Sequence, residues 1–367
     1  MSEAPALIGV DVGALDTPSL VVDLDVMEAN LARIAASCAK GGVAWRPHCK
    51  THKSPEIAKL QIAAGAVGVT CAKLAEAEVM ADAGIADILV ANQIVGPIKI
   101  ERLMALRAQA HITVAVDGTE NAEALSEAAA RRGLTLDVVI EVDTGARRAG
   151  VPPGLPVLEL ARRVAALPGL RLAGVMTWEA HTTKISDPKE KRAAIEDAIG
   201  ALVASADLCR ENGIAIGIVS CGGTGTFATA AAIAGVTEIQ AGGGVFGDVR
   251  YRTIYNVPLA YGLTVHATVT SRPTPRRIVC DAGKKAMSVD SGVPLPLDLP
   301  PVASVSFSAE HGKIELQSDQ ASPRVGDRIR FVVGYADTTV HLHDAIFAAR
   351  GGRVERIWPI APAAKLR

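Results

Sequence analysis

The sequence predicts an α/β barrel followed by a smaller, mostly β domain. Three observations carry this. Short aliphatic runs recur eight times, the stretches between them are rich in Ala, Leu, Glu and Arg at helical spacing, and the texture changes to Val/Thr/Arg/Pro-rich strands after about Gly262. Eight strand-helix repeats make a closed (β/α)8 arrangement the natural expectation.

The eight expected strands are Val43–Trp45, Val67–Cys71, Ile88–Ala91, Ile112–Val116, Leu136–Val142, Leu172–Thr177, Ile216–Ser220 and Glu238–Ala241. Beyond them come Leu263–Ser271, Arg277–Cys280 and Asp327–Val333, with turn signals at Pro273-Thr274-Pro275, His311-Gly312 and Gly351-Gly352. The early run Ser19–Leu24 precedes the eight, and it is expected to join the β domain rather than the barrel. The expected boundaries are therefore 25–262 for the barrel and 263–367 for the β domain, joined by an N-terminal strand within 1–24.

With 367 residues, 49% hydrophobic and a net charge of -1, the chain can bury a large aliphatic core and offers no basic surface for nucleic acid or an acidic membrane. The first 32 residues contain no Lys and do not read as a secretory signal, and no apolar run approaches a membrane span. A cytoplasmic protein is expected. The six cysteines lack CxxC spacing, so they are expected to be reduced thiols in the core.

Barrel enzymes carry their chemistry at the C-terminal ends of the strands. Here nearly every expected strand ends in a polar group: Lys50 after the first, Lys73 after the second, Asn92-Gln93, Asp117, Asp143 with Arg147-Arg148, then Trp178-Glu179 with His181. The segment Trp45-Arg46-Pro47-His48-Cys49-Lys50-Thr51-His52-Lys53 places two lysines and two histidines together. A lysine partly desolvated beside other cations is an amine nucleophile toward an aldehyde, as pyridoxal phosphate (PLP) requires; a solvated basic turn is the alternative. Ser220–Thr226, containing Gly223, Thr224 and Gly225, and Gln240–Gly244, containing Gly242 and Gly243, are glycine-rich turns on the last two strands. Their backbone amides suit a phosphate.

Taken together, Asp16–Leu20, Arg46–Lys53, Asn92–Pro97, Glu141–Val151, Gly222–Gly225, Asp281–Lys285, Glu310–Gly312 and Leu342–Asp344 resemble the D-threonine aldolase and D-serine dehydratase group of fold type III PLP enzymes, relatives of alanine racemase. The resemblance spans nearly the whole chain. It implies a PLP-binding barrel with a C-terminal β domain, a homodimer, and an amino-acid substrate. It assigns the Schiff-base lysine to Lys50 rather than Lys53, sets Arg148 near the cofactor's phenolic oxygen and Gln240 near its ring or phosphate, and brings Trp178 and His181 to the site.

The departures fall at the substrate's reacting end. Metal-dependent members carry a His-x-Asp or His-x-Cys pair holding a divalent ion such as Mn²⁺ or Zn²⁺, whereas this chain reads Tyr335-Ala336-Asp337. The aldolases' tyrosine after the sixth strand is Trp178, and Lys184 stands in register with their next histidine, with His181 offset. Asp337, His341 and His343 share odd parity, so on a strand they would face one side and could rebuild a metal site; a solvated strand face is the alternative. The expected function is a PLP-dependent lyase acting on D-3-hydroxy amino acids, by retro-aldol cleavage or by elimination. The alternatives are a racemase using Lys50 and Tyr335 as its two bases, and a non-catalytic PLP-binding protein.

Overall fold

The computed structural model describes residues 7–360. The described residues divide into two compact units, one running from Ala32 to Gly242, the other comprising 7–31 and 243–360.

In chain order β1 (Ser19–Asp23) and α1 (Leu24–Gly41) come first. Strands and helices then alternate: β2 (Ala44–Trp45), α2 (Pro55–Ala63), β3 (Val69–Cys71), α3 (Leu74–Asp82), β4 (Asp87–Gln93), α4 (Pro97–Arg107), β5 (His111–Val116), α5 (Thr119–Arg131), β6 (Leu136–Glu141), α6 (Leu155–Ala166), β7 (Leu170–Met176), α7 (Pro188–Glu211), β8 (Ile218–Cys221), α8 (Phe227–Ala230) and β9 (Glu238–Ile239). All eight expected barrel strands are present. Parallel strands covered on both faces need apolar residues at nearly every position, and β6 is buried throughout while β5 exposes only His111.

The parallel sheet runs β2-β9-β8-β7-β6-β5-β4-β3. Its two ends meet: Val67 N–H donates to the Trp45 carbonyl at 2.9 Å, Thr70 N–H to Pro47 at 2.8 Å and Cys49 N–H to Thr70 at 2.7 Å, with His48 bridging Thr70 in parallel. The barrel is closed. Leu89, Ala115, Val139 and Met176 form one layer of its packing. Around the strand beginnings the charges pair off: Arg46 with Asp87 and Glu238 (both 2.7 Å), His111 with Asp87 and Asp137 (3.1 and 2.8 Å), and Arg171 with Asp137. Such a network at the N-terminal face serves stability and leaves the opposite face to chemistry.

The other unit is built on β1 together with β10 (Leu263–Ser271), β11 (Arg277–Cys280), β12 (Leu295–Leu297), β13 (Val302–Phe307), β14 (Gly312–Leu316), β15 (Arg328–Val332), α9 (Ala336–Thr339), β16 (Ala345–Arg350) and β17 (Arg353–Pro359). The sheet order is β13-β14-β11-β10-β1-β16-β17, with β15 pairing β10 and β12. β1 lies antiparallel to β10, Leu20 opposite Val265, and parallel to β16, Val21 opposite Phe347. The three turn signals each fall between consecutive antiparallel strands, β10–β11, β13–β14 and β16–β17.

One local expectation is corrected. Asp337, His341 and His343 do not lie on a strand: Asp337 is in α9, His341 is in a 3-10 turn over Val340–Leu342, and His343 follows it. The reason is a tertiary cap, because the buried Asp248 carboxylate accepts the Ala336 amide at 2.9 Å and the Tyr251 amide at 2.7 Å, fixing a helical turn where alternation suggested extended chain.

Candidate active site

In the barrel unit, the loop leaving β2 folds back on itself. Lys53 adopts φ 52 and buries its amine in an ion pair with Glu76, itself fully buried at the start of α3. Glu76 also accepts the Ala72 and Lys73 amides at 2.7 and 3.2 Å, so its carboxylate both caps α3 and neutralises Lys53. Lys53 is thereby committed to structure, and Lys73 is exposed as the residue preceding α3. Lys50 is half-buried, and its amide donates to His48 Nδ1 at 3.3 Å. That bond leaves the His48 proton on Nε2. Burial and then the charges of Lys50, Lys53, His52 and Arg148 hold the His48 imidazole well below its usual range, so a neutral ring sits in a cationic cluster. Cys49 and Cys71 are fully buried beside it, and all six cysteines are buried free thiols.

Arg148 reaches this cluster from the loop after β6. Its guanidinium donates to Glu141 at 3.2 Å, and Gln93 donates to the other Glu141 oxygen at 2.6 Å. Glu141 is 3% exposed while the Arg148 side chain is 59% exposed, so one end of the arginine is anchored and the rest faces outward. A carboxylate at the end of β6 thus orients the residue that the resemblance sets at the phenolic oxygen. On the same loop Gly145 packs on the ring of His181, leaving only 2.9 Å for any added Cβ, so His181 lies against the loop that carries Arg148.

The glycine turns are shaped by their neighbours. A Cβ on Gly242 would lie 2.2 Å from the His48 carbonyl oxygen and 2.5 Å from its nitrogen, so the turn after β9 lies directly on the lysine loop. A Cβ on Gly223 would lie 2.3 Å from the Trp178 ring. Gly223 is needed for that contact whatever else it does. Gln240 donates to Ser220 Oγ at 2.9 Å, linking the two turns, and Thr224, Gly225 and Gly243 are buried within them. An amine, an anchored guanidinium and two close-packed glycine turns fit a phosphorylated aldehyde such as PLP.

In the other unit Tyr335, Tyr251, Tyr255 and Arg250 form a cluster. The Arg250 guanidinium stacks 4.8 Å from the Tyr335 ring centre and 5.0 Å from that of Tyr255, and donates to the Tyr255 hydroxyl at 2.8 Å. Burial, and next the Asp337 carboxylate, push the Tyr335 phenol up, so it holds its proton at neutral pH. Asp337 is reached by the Tyr251 hydroxyl at 3.5 Å, and His343 Nε2 meets the Ala286 carbonyl at 2.8 Å. Among the described residues no three His, Cys, Asp or Glu side chains converge as a metal site; Asp337 lies in α9, His341 in the 3-10 turn after it and His343 beyond that turn.

Glu141 and Glu179 are the functional candidates given no role from sequence, since nothing local reveals which distant donors a carboxylate will meet. No helix among the described residues is long and apolar enough to cross a membrane.

Residues 22–250 match the family described as alanine racemase, N-terminal domain, and residues 262–349 match the putative serine dehydratase domain. The chain is 38% identical to a D-threonine aldolase of Arthrobacter sp over 97% of its length and 95% of that protein. It is 36% identical to the D-threo-3-hydroxyaspartate dehydratase of Delftia sp. over 76% of its length and 74% of that protein. The crystal structure of D-threonine aldolase from Filomicrobium marinum superposes with a TM-score of 0.94 at 38% identity, covering 99% of both chains.

Proposed function

This chain belongs to the D-threonine aldolase and D-serine dehydratase family of fold type III PLP enzymes, and from that premise we propose that it is a lyase acting on D-3-hydroxy amino acids. The observation that carries the reading is the division of labour between two lysines three residues apart: Lys53 is sealed to Glu76, while Lys50 stands half-buried among the cations around His48.

Bound PLP supplies the electron sink for charge developing at the substrate's Cα. Lys50 is the amine that holds it, and in turnover the same amine is placed to carry a proton. Glu141 keeps the Arg148 guanidinium oriented, and Trp178 presses on the turn at Gly223. His181, exposed and packed against Gly145 of the loop that carries Arg148, is the proposed proton acceptor for the substrate hydroxyl. Removing that proton favours Cα–Cβ cleavage to glycine and an aldehyde; departure of the hydroxyl after loss of the Cα proton gives a 2-oxo acid and ammonia. Retro-aldol cleavage is the favoured outcome, supported by the likeness to D-threonine aldolase along the full chain.

A racemase would use Lys50 and Tyr335 as its two bases; the full-length likeness to D-threonine aldolase favours the lyase over it. Tyr335 is proposed instead as a donor toward the substrate's reacting end, in place of metal assistance. A non-catalytic role is disfavoured by the 38% identity that extends through both units. The six free thiols favour a reducing compartment such as the cytoplasm, and a homodimer is proposed on the family likeness. Incubation of holoenzyme with D-threonine, D-serine and D-3-hydroxyaspartate, with glycine, aldehyde, ammonia, 2-oxo acid and L-enantiomer all quantified, tests the reading. Glycine with aldehyde is expected; L-enantiomer as the principal product would overturn it.

A further inference from the structure

Glu179 follows Trp178 beyond β7 and is fully buried, 0% exposed. Its carboxylate points into the turn after β8. One oxygen accepts the Thr226 hydroxyl and the other accepts the Gly222 amide at 3.4 Å, while the Gly223 amide and the residue's own amide also favour the charged form. The Thr226 and Phe227 amides go to the Gly223 carbonyl at 3.0 and 2.9 Å. Donors at both ends of the turn are therefore directed inward, and Thr224-Gly225 forms its crest. The Trp178 ring fills the space beside Gly223, so two consecutive residues hold the turn, one by packing and one by hydrogen bonds.

A buried carboxylate beneath a proposed phosphate site is at first sight misplaced, because two anions repel. The donors around it explain why it is retained. They offset part of its desolvation, which still leaves its pKa raised, and they fix a glycine-rich segment that would otherwise lose much conformational freedom when a ligand binds. We propose that Glu179 is the positioning residue of the phosphate-binding turn: it retains the Gly222 and Gly223 amides and the Thr226 hydroxyl, and so presents the Thr224-Gly225 crest to the phosphate of the cofactor. This rests on the PLP reading given above, and it reassigns Gly223 from direct phosphate donor to scaffold.

The test compares binding of PLP with binding of pyridoxal, which lacks the phosphate, to cofactor-stripped full-length protein. In Glu179→Gln one acceptor oxygen becomes an amide donor facing a donor, so the dissociation constant for PLP should rise about tenfold, a typical effect of leaving one buried polar group unmatched. Affinity for pyridoxal should stay at the wild-type value, and inorganic phosphate should compete less well with PLP. Thr226→Val should reproduce the loss, Thr226→Ser should preserve binding, and Glu179→Gln combined with Thr226→Val should be no worse than either alone. The threonine pair keeps the test decisive should Glu179→Gln fold poorly. Wild-type PLP affinity in Glu179→Gln and Thr226→Val, or equal losses for PLP and pyridoxal, would overturn the proposal. Failure of the wild-type protein to bind PLP would instead remove the reading beneath it.

Discussion

Replacing Gly242 by alanine is the sharpest perturbation of the lysine loop that leaves every polar group in place. The added methyl would lie 2.2 Å from the His48 carbonyl oxygen, roughly 1 Å closer than an ordinary van der Waals contact. The obstacle is backbone, so no rotamer change relieves it. Either the turn after β9 or the His48–Lys50 segment must move, and overpacking of this kind costs about 1–3 kcal/mol. Lys50 is two residues from the clash, and a displacement of about 1 Å at a reacting group can cost on the order of 100-fold in rate. Chemical denaturation and kcat at saturating PLP read the two effects separately. Gly200→Ala is the control: it lies inside α7 with nothing within 4 Å of the new methyl, and should be neutral or stabilise by about 0.5–1 kcal/mol. A Gly242→Ala protein with unchanged stability and turnover would refute the reasoning that this glycine sets the lysine loop.

Further outcomes follow from the same contacts. Lys53→Met leaves Glu76 buried and unpaired, so unfolding free energy should fall by about 3–5 kcal/mol, while pyridoxyl labelling of whatever protein remains folded should persist. Burial raises Asp248 to about 7, so the folded state binds the extra proton; its contribution to stability is fully present below about pH 4 and is lost as pH rises through about 7. Asp248→Asn should flatten that part of the stability profile, and an unchanged slope would refute the assignment. Activity should survive exhaustive chelation, and Tyr335→Phe should lower kcat without releasing the cofactor. A chelator-sensitive enzyme restored by Mn²⁺ or Zn²⁺ and tolerant of Tyr335→Phe would show that a metal site persists.

Much of this architecture was legible in the sequence for a simple reason. Barrel strands buried on both faces leave continuous runs of Val, Ile and Leu, which is why Ile112–Val116 and Leu136–Val142 fall on β5 and β6 almost residue for residue. Lys50 was a candidate from the sequence because it closes such a run among other cations, and the family resemblance is what set it apart from Lys53. What escaped was long-range pairing. Glu141 meets Gln93 and Glu179 meets Thr226 across 48 and 47 residues, and each carboxylate, read alone, is an ordinary strand end. The strand assumed for Asp337, His341 and His343 failed for a related reason: the Asp248 cap on Ala336 comes from 88 residues away and converts alternation into a helical turn.

Borohydride reduction of the holoenzyme, followed by peptide mapping, tests the central claim most directly, because the whole account turns on which amine carries the cofactor. The pyridoxyl group is expected on Lys50, within the peptide that also contains the Glu76-paired Lys53. Recovery of the label on Lys53 or Lys73 would contradict it.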